Sequence, residues 1–251
     1  MSWRRALLAR PRAWAADYVW ATSRLVRAGA GDLAAKVRPG RGLVEIAPGA
    51  AAGRVAEGPG TPVVLLPGIF ETWRFLAPLA DRLRRTGHEV HVVEALGLNR
   101  RDVPAGAEAV RRYLEGRDLH DVVLVAHSKG GLVGKAAMLS PAGHRVAGMV
   151  AVATPWRGSV WAWMFPPFTS VGRLSPTARS LRTLRRDRSV DARIVSLAPA
   201  WDPHIPGRSR LAGARNVDLA AQGHFRPLGD PAVVDQILGA VAEISGETSP
   251  G

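Results

Sequence analysis

Residues 121–134 read Asp-Val-Val-Leu-Val-Ala-His-Ser-Lys-Gly-Gly-Leu-Val-Gly, and this stretch decides the fold. The apolar, mostly β-branched run at 122–125 has the character of a parallel strand covered on both faces. Leu132, Val133, Ala136 and Ala137 then recur at helical spacing. A strand therefore turns sharply into a helix, and Ser128 stands at the turn. Its neighbours two positions away, Ala126 and Gly130, are small, as close approach of strand and helix requires. Ala126-x-Ser128-x-Gly130 reads as a variant of the G-x-S-x-G elbow, whose strained turn lifts a serine hydroxyl above the carboxyl edge of a sheet. Alanine at the first position adds only a methyl group. The helix start also offers unpaired backbone N–H groups and a positive dipole end where an oxyanion would form.

Outward from this stretch the chain alternates. Strands are predicted at 62–66, 89–93, 146–153, 192–197 and 216–219, and helices at 75–85, 107–114 and 231–243. Such alternation predicts an α/β fold with a mostly parallel central sheet, helices on both faces, and ligands above the carboxyl ends of the strands. Upstream, apolar residues between Trp3 and Arg27 fall near helical spacing with arginines between them, and Pro11 is expected to divide this segment into two helical pieces. The segment 29–60 is rich in Gly, Pro and Ala and reads as a loose connection, with short edge strands at 43–46 and 54–56. The expected division is residues 1–60 as N-terminal helix and connection and 61–251 as the α/β domain, with an inserted cap at about 156–190.

A serine hydroxyl is a poor nucleophile unless a base takes its proton and a further group orients that base. The chain has seven histidines. His88, His91, His120 and His144 fall before or at the start of strands, at the opposite sheet edge. His127 adjoins the serine with its ring expected to point away. His224 lies between the final strand and the final helix, where a base can reach Ser128. The acid is expected in the loop after the preceding strand, which supplies Asp202 in Trp201-Asp202-Pro203-His204. His204 is a rival base, and Asp218 and Asp230 are rival acids. Two backbone donors are needed for an oxyanion: the N–H of Lys129, and that of Ile69 in the loop leaving the first regular strand. As both are main-chain groups, their side chains are expected to vary freely.

These residues resemble the α/β-hydrolase superfamily on its lipase and esterase branch, over roughly residue 61 to the last helix. The resemblance rests on the elbow, on Pro67-Gly68 in place of the usual His-Gly, on Thr154-Pro155-Trp156-Arg157-Gly158-Ser159, similar to a Thr-Pro-His-Arg-Gly-Ser run of many lipases, and on the chain order Ser128, Asp202, His224. It implies an α/β-hydrolase fold with a cap or lid, and a serine hydrolase that cleaves carboxylic esters of hydrophobic substrates through an acyl-enzyme. Acyl transfer, thioester or amide cleavage, and a non-catalytic binding scaffold are the alternatives. Phe70, Trp73, Trp156, Trp161 and Phe165 are expected to line an apolar substrate site.

Composition bounds the partners. The chain has 251 residues, 47% of them hydrophobic, and no cysteine, which excludes disulfides and thiolate metal sites. No metal cluster or phosphate-cradling loop is visible, so no cofactor is expected. The net charge of +13 suits an anionic partner such as acidic lipid. The charge is spread along the chain without a basic stripe interleaved with aromatics, which argues against nucleic acid. No run approaches the ~20 apolar residues of a membrane span, and Arg10, Pro11, Arg12 and Asp17 interrupt any signal-peptide core. A cytoplasmic protein is expected. The Arg-rich N-terminal helix either packs across the domain or touches an anionic membrane surface.

Overall fold

The structure, a computed structural model, describes residues 10–37, 60–206 and 209–246, with the side chains of 31–37 excepted. The edge strands expected at 43–46 and 54–56, and the first nine residues, lie outside this set. Among the described residues six strands, β1 (Gly60–Leu66), β2 (His88–Val92), β3 (Val122–His127), β4 (Val146–Val152), β5 (Ile194–Trp201) and β6 (Arg215–Gln222), form one sheet in the order β2-β1-β3-β4-β5-β6. Every neighbouring pair is parallel. The path of the sheet starts inside it at β1, steps out to β2, and crosses back to β3 on the other side. The crevice between β1 and β3 is thus the switch point at which open α/β sheets take ligands. In register, Leu66 faces Ala126 and His127 faces Val152. The loop after β1 and the elbow after β3 therefore emerge side by side.

Alternation along the strands builds two cores. Val64, Leu66, Leu124 and Ala126 pack with helices α3 (Val103–Gly116) and α4 (Lys129–Met138) on one face. Val63, Leu65, Val123 and Val125 pack with α2 (Ala77–Arg85) and α6 (Pro231–Ser245) on the other. Asp102 caps α3 by accepting the Ala105 N–H at 2.9 Å, and Asp230 caps α6 by accepting that of Ala232 at 3.0 Å. The cap, which follows β4, is made of short 3₁₀ turns at Val160–Met164 and Gly172–Leu174 and the helix α5 (Arg179–Arg186).

The N-terminal segment departs from expectation in its length. Helix α1 spans Pro11–Val37, so it reaches into the stretch read as loose connection. Pro11 is the first residue of this helix, where a first-turn N–H has no helical partner and its loss is free, and the helical piece expected ahead of it lies outside the described residues. The helix lies against the domain: Asp17, Ala21 and Ala28 are buried while Val19 and Val26 face outward. Among the described residues no helix is long and apolar enough to cross a membrane.

One buried ion pair joins the elbow helix to the strand that leads to the acid. Lys135 Nζ of α4 stands 2.6 Å from Asp191 Oδ1, just ahead of β5, and both side chains are almost wholly buried. Asp191→Ala, which strands a buried ammonium, is expected to cost about 3–5 kcal/mol, whereas Lys135→Met combined with Asp191→Leu is expected to be neutral or stabilising. Urea unfolding of both variants checks this. A single variant as stable as the wild type contradicts it.

Candidate active site

Ser128 sits between β3 and α4 with φ 50° and ψ −121°. A non-glycine residue held at positive φ costs roughly 1–3 kcal/mol, which the surroundings must offset. They do so through the backbone: Ser128 N–H donates to the Val152 carbonyl at 2.9 Å, locking the turn to β4. Gly130 is obligatory here, because a Cβ would stand 2.1 Å from the Leu66 carbonyl oxygen.

The Ser128 hydroxyl donates to His224 Nε2 at 2.9 Å, and His224 Nδ1–H donates to Asp202 Oδ2 at 2.8 Å. All three residues are nearly buried. Asp202 is held in turn by the backbone, since its other oxygen accepts the N–H groups of His204 at 2.8 Å and Ile205 at 3.0 Å. The fold thus gathers residues from the ends of β3, β5 and β6 into one hydrogen-bonded line. Burial alone would push the His224 imidazole down. The charge and hydrogen bond of Asp202, with the charges of Glu71 and Asp17, outweigh burial and raise it above its ordinary value. His204 behaves oppositely: burial, then the neighbouring His224, push it down to about 3. Its Nε2 is hydrogen-bonded to the Tyr18 hydroxyl at 3.0 Å. The rival acids are engaged elsewhere, Asp218 with Arg210 and Asp230 as a helix cap.

The loop after β1 is braced in part by Glu71 and Asn99, which the sequence did not single out. Glu71 accepts the Gly68 N–H at 2.7 Å and meets His127 Nδ1 at 2.9 Å. The other His127 nitrogen donates to the His224 carbonyl at 3.0 Å. Asn99 donates to the Pro67 carbonyl at 2.7 Å, and Phe70 N–H to the Leu98 carbonyl at 2.8 Å. Gly68 and Phe70 are thereby occupied, and among the described residues nothing accepts the Ile69 N–H between them. The Lys129 N–H opens α4, where helix donors lack partners. The Lys129 side chain is not free to vary as expected: it is buried, and its Nζ donates to the Asn99 carbonyl at 2.6 Å and to that of Arg101. Burial, opposed by Asp102, pushes this amine down to about 8. A signal for Glu71 existed in the sequence, as a lone carboxylate between the Pro67-Gly68-Ile69-Phe70 run and Trp73.

Under the cap lies a cavity of about 530 Å³ lined by Lys129, Asp102, Trp163, Phe165, Arg173 and Leu174 among others. Of the aromatics expected to line a substrate site, Phe165 lines this cavity, which reaches Lys129 but whose lining does not include Ser128, Asp202 or His224. Phe70 is half exposed beside Arg100, and Trp73 lies under the Arg74 guanidinium. Trp161 donates to the Pro203 carbonyl at 2.9 Å, fixing the cap to the loop that bears Asp202. Trp156 departs from the expectation of a pocket wall: it is buried in the core with its Nε1 donating to Ser196 Oγ at 2.8 Å, so it braces the cap from beneath and is not among the residues that line this cavity.

A family model described as the alpha/beta hydrolase family matches residues 63–244. The chain belongs to that family. A search of curated proteins finds no match. Among solved structures, the lipase BlEst2 of Bacillus licheniformis is 18% identical. In its mature form the alignment covers 69% of this chain and 89% of the lipase, with a TM-score of 0.54. In its propeptide form this chain spans only about half of the lipase, 49%. A hydrolase from Oleispira antarctica is 13% identical over 73% of this chain and 92% of its own, TM-score 0.55. A structure from work on carboxylesterases of Nitrososphaera gargenis is 14% identical over 74% and 92%, TM-score 0.55. At these identities the likeness is one of fold.

The two imidazoles of this hydrolase-fold site are expected to separate on NMR titration. His224 should titrate above the ordinary 6.5 and His204 should remain neutral down to about pH 3. Coincident titrations near 6.5 would contradict the electrostatic picture.

Proposed function

We propose that the protein is a serine hydrolase that cleaves carboxylic esters of hydrophobic substrates through an acyl-enzyme. The observation that carries this reading is the unbroken hydrogen-bonded line from the Ser128 hydroxyl through His224 to Asp202. In the first half-reaction His224 Nε2 takes the Ser128 proton as Oγ attacks the ester carbonyl. Asp202 fixes the tautomer and stabilises the imidazolium. The N–H groups of Lys129 and Ile69 hold the oxyanion, a role in which each donor is typically worth about 10²–10³ in rate. Collapse of the tetrahedral species expels the alcohol, which takes the proton from His224. Water then gives a proton to His224 as its oxygen attacks the acyl carbon, and collapse of the second tetrahedral species breaks the bond to Ser128 Oγ, which takes the proton back from His224 as the acid leaves.

Support for a hydrophobic acyl or alcohol group comes from the cap. Trp163 and Phe165 line the cavity that reaches Lys129, the neighbour of Ser128, and Met164 and Phe168 of the cap are exposed. The likeness in fold to a lipase and to a structure from a carboxylesterase study points the same way. Other reactions open to such a site, among them thioester or amide cleavage and acyl transfer, share its first half-reaction and differ in leaving group or acceptor.

Labelling by a fluorophosphonate tests the reading. The wild type is expected to label at Ser128, and Ser128→Ala and His224→Ala to lose labelling. Asp202→Asn should lower kcat by about 10⁴-fold. A folded protein that never labels contradicts the proposal. Because the base must be neutral, kcat/KM is expected to fall as pH drops through the raised His224 value, above 6.5. Across p-nitrophenyl esters from acetyl to palmitoyl, rates falling steadily beyond acetyl would count against a hydrophobic substrate.

A further inference from the structure

Asp17 is fully buried in the first half of α1, more than two hundred residues from the loop it touches. Its carboxylate accepts three consecutive backbone N–H groups: Oδ2 takes that of His224 at 2.9 Å, and Oδ1 takes those of Phe225 and Arg226, each at 2.8 Å. Three convergent amides form the kind of concavity that binds an anion, and charge-assisted bonds of this type are about twice as strong as neutral ones. Gly223 is shaped to the same contact. It has φ +111°, and a Cβ there would stand 2.3 Å from Asp17 Oδ1. Neighbouring contacts on α1 reinforce the seating: Tyr18 bonds His204, Trp20 stacks edge-on with Phe75 at 5.5 Å, and Arg24 donates to the Arg74 and Phe75 carbonyls.

The opposite side of the His224 residue is held as well, since its carbonyl accepts from His127. Its backbone is thus gripped at the N–H by α1 and at the C=O by the residue before the elbow serine. The family match begins at residue 63, so the α1 grip enters from outside the segment that the family model describes.

We propose that Asp17 is a positioning residue for the base, and that α1 is therefore part of the reacting machinery. This rests on the hydrolase reading for its catalytic consequence, but the grip itself does not. Asp17 touches no reacting atom; it acts by holding the His224 backbone so that the ring stands between Asp202 and Ser128. Misplacement of a reacting group by about 1 Å can cost on the order of 10²-fold in rate.

The charged and titratable groups facing the His224 ring are Asp202, His204 and His127, with Glu71, Asp17 and the Tyr18 phenol beyond them. Among these Asp17 favours the protonated ring, so its neutralisation moves the His224 titration down.

The test compares full-length wild type with Asp17→Asn by two readouts. The first needs no catalysis: amide hydrogen exchange at residues 224–226 and the His224 imidazole titration, both by NMR. Expected are slow exchange in the wild type and exchange faster by about tenfold or more in the variant, consistent with loss of bonds to a charged group. The midpoint of His224 should also move to lower pH, with the amides of β3 unchanged. In the second readout, with a short p-nitrophenyl ester, kcat should fall by about 10–100-fold with KM nearly constant, and the acid limb should follow the NMR midpoint. Unchanged exchange and titration overturn the proposal whatever the activity does. A wild type in which Ser128 never reacts counts against the hydrolase reading, while the NMR readout still decides the grip. Should Asp17→Asn fail to fold, the wild type alone decides: rapid exchange at 224–226 overturns the grip, and protection comparable to the sheet supports it.

Discussion

The position of His224 is the constraint on which the site depends, and it is fixed at four points. Its ring meets Ser128 through Nε2 and Asp202 through Nδ1, while its backbone is held by Asp17 at the N–H and by His127 at the carbonyl. These grips come from three separate parts of the chain. The end of β3 supplies Ser128 and His127, the loop after β5 supplies Asp202, and α1 supplies Asp17. An imidazole on a loop has many rotamers and a mobile backbone; one tied at both levels has lost that entropy in folding, before any substrate arrives. The strained turn at Ser128 belongs to the same arrangement, because Gly130 and the Val152 carbonyl fix where the hydroxyl stands relative to the ring.

Electrostatics concentrates what the overall charge conceals. The chain carries a net +13, yet three carboxylates, Asp17, Glu71 and Asp202, surround one imidazole. They outweigh the burial that would otherwise lower its basicity. The neighbouring ring of His204 stays neutral and is hydrogen-bonded to Tyr18. Glu71 also acts mechanically. By holding Gly68 N–H as well as His127, it links the loop that presents Ile69 to the loop that presents His224. The two halves of the site are therefore tied through one chain of hydrogen bonds.

The alternation of strands and helices made the sheet legible, and with it Ser128, Asp202 and His224, because each lies at a strand's carboxyl end and the strand ends share one edge. The rivals His204, Asp218 and Asp230 could be ranked only by where loops fold back, and the structure engages each elsewhere. Asp17 and Asn99 were not legible, and Glu71 only as a carboxylate out of place. All three act on main-chain atoms distant or hidden in sequence, and a backbone N–H leaves no mark on the residue that carries it. Asp17 in particular read only as one of the residues that interrupt a signal-peptide core. Trp156 misled for the reverse reason. An aromatic after Thr-Pro suits a pocket wall or a core equally, and tertiary packing against Ser196 decides. The length of α1 escaped because glycines lower helix propensity without preventing a helix that packing supports.

The most direct measurement is the mass of the enzyme during turnover. After mixing with a p-nitrophenyl ester and quenching in acid within the first turnover, a peptide containing Ser128 and heavier by the acyl group is expected, formed together with a burst of p-nitrophenol. Ester turnover with no acylated Ser128 at any time would contradict it.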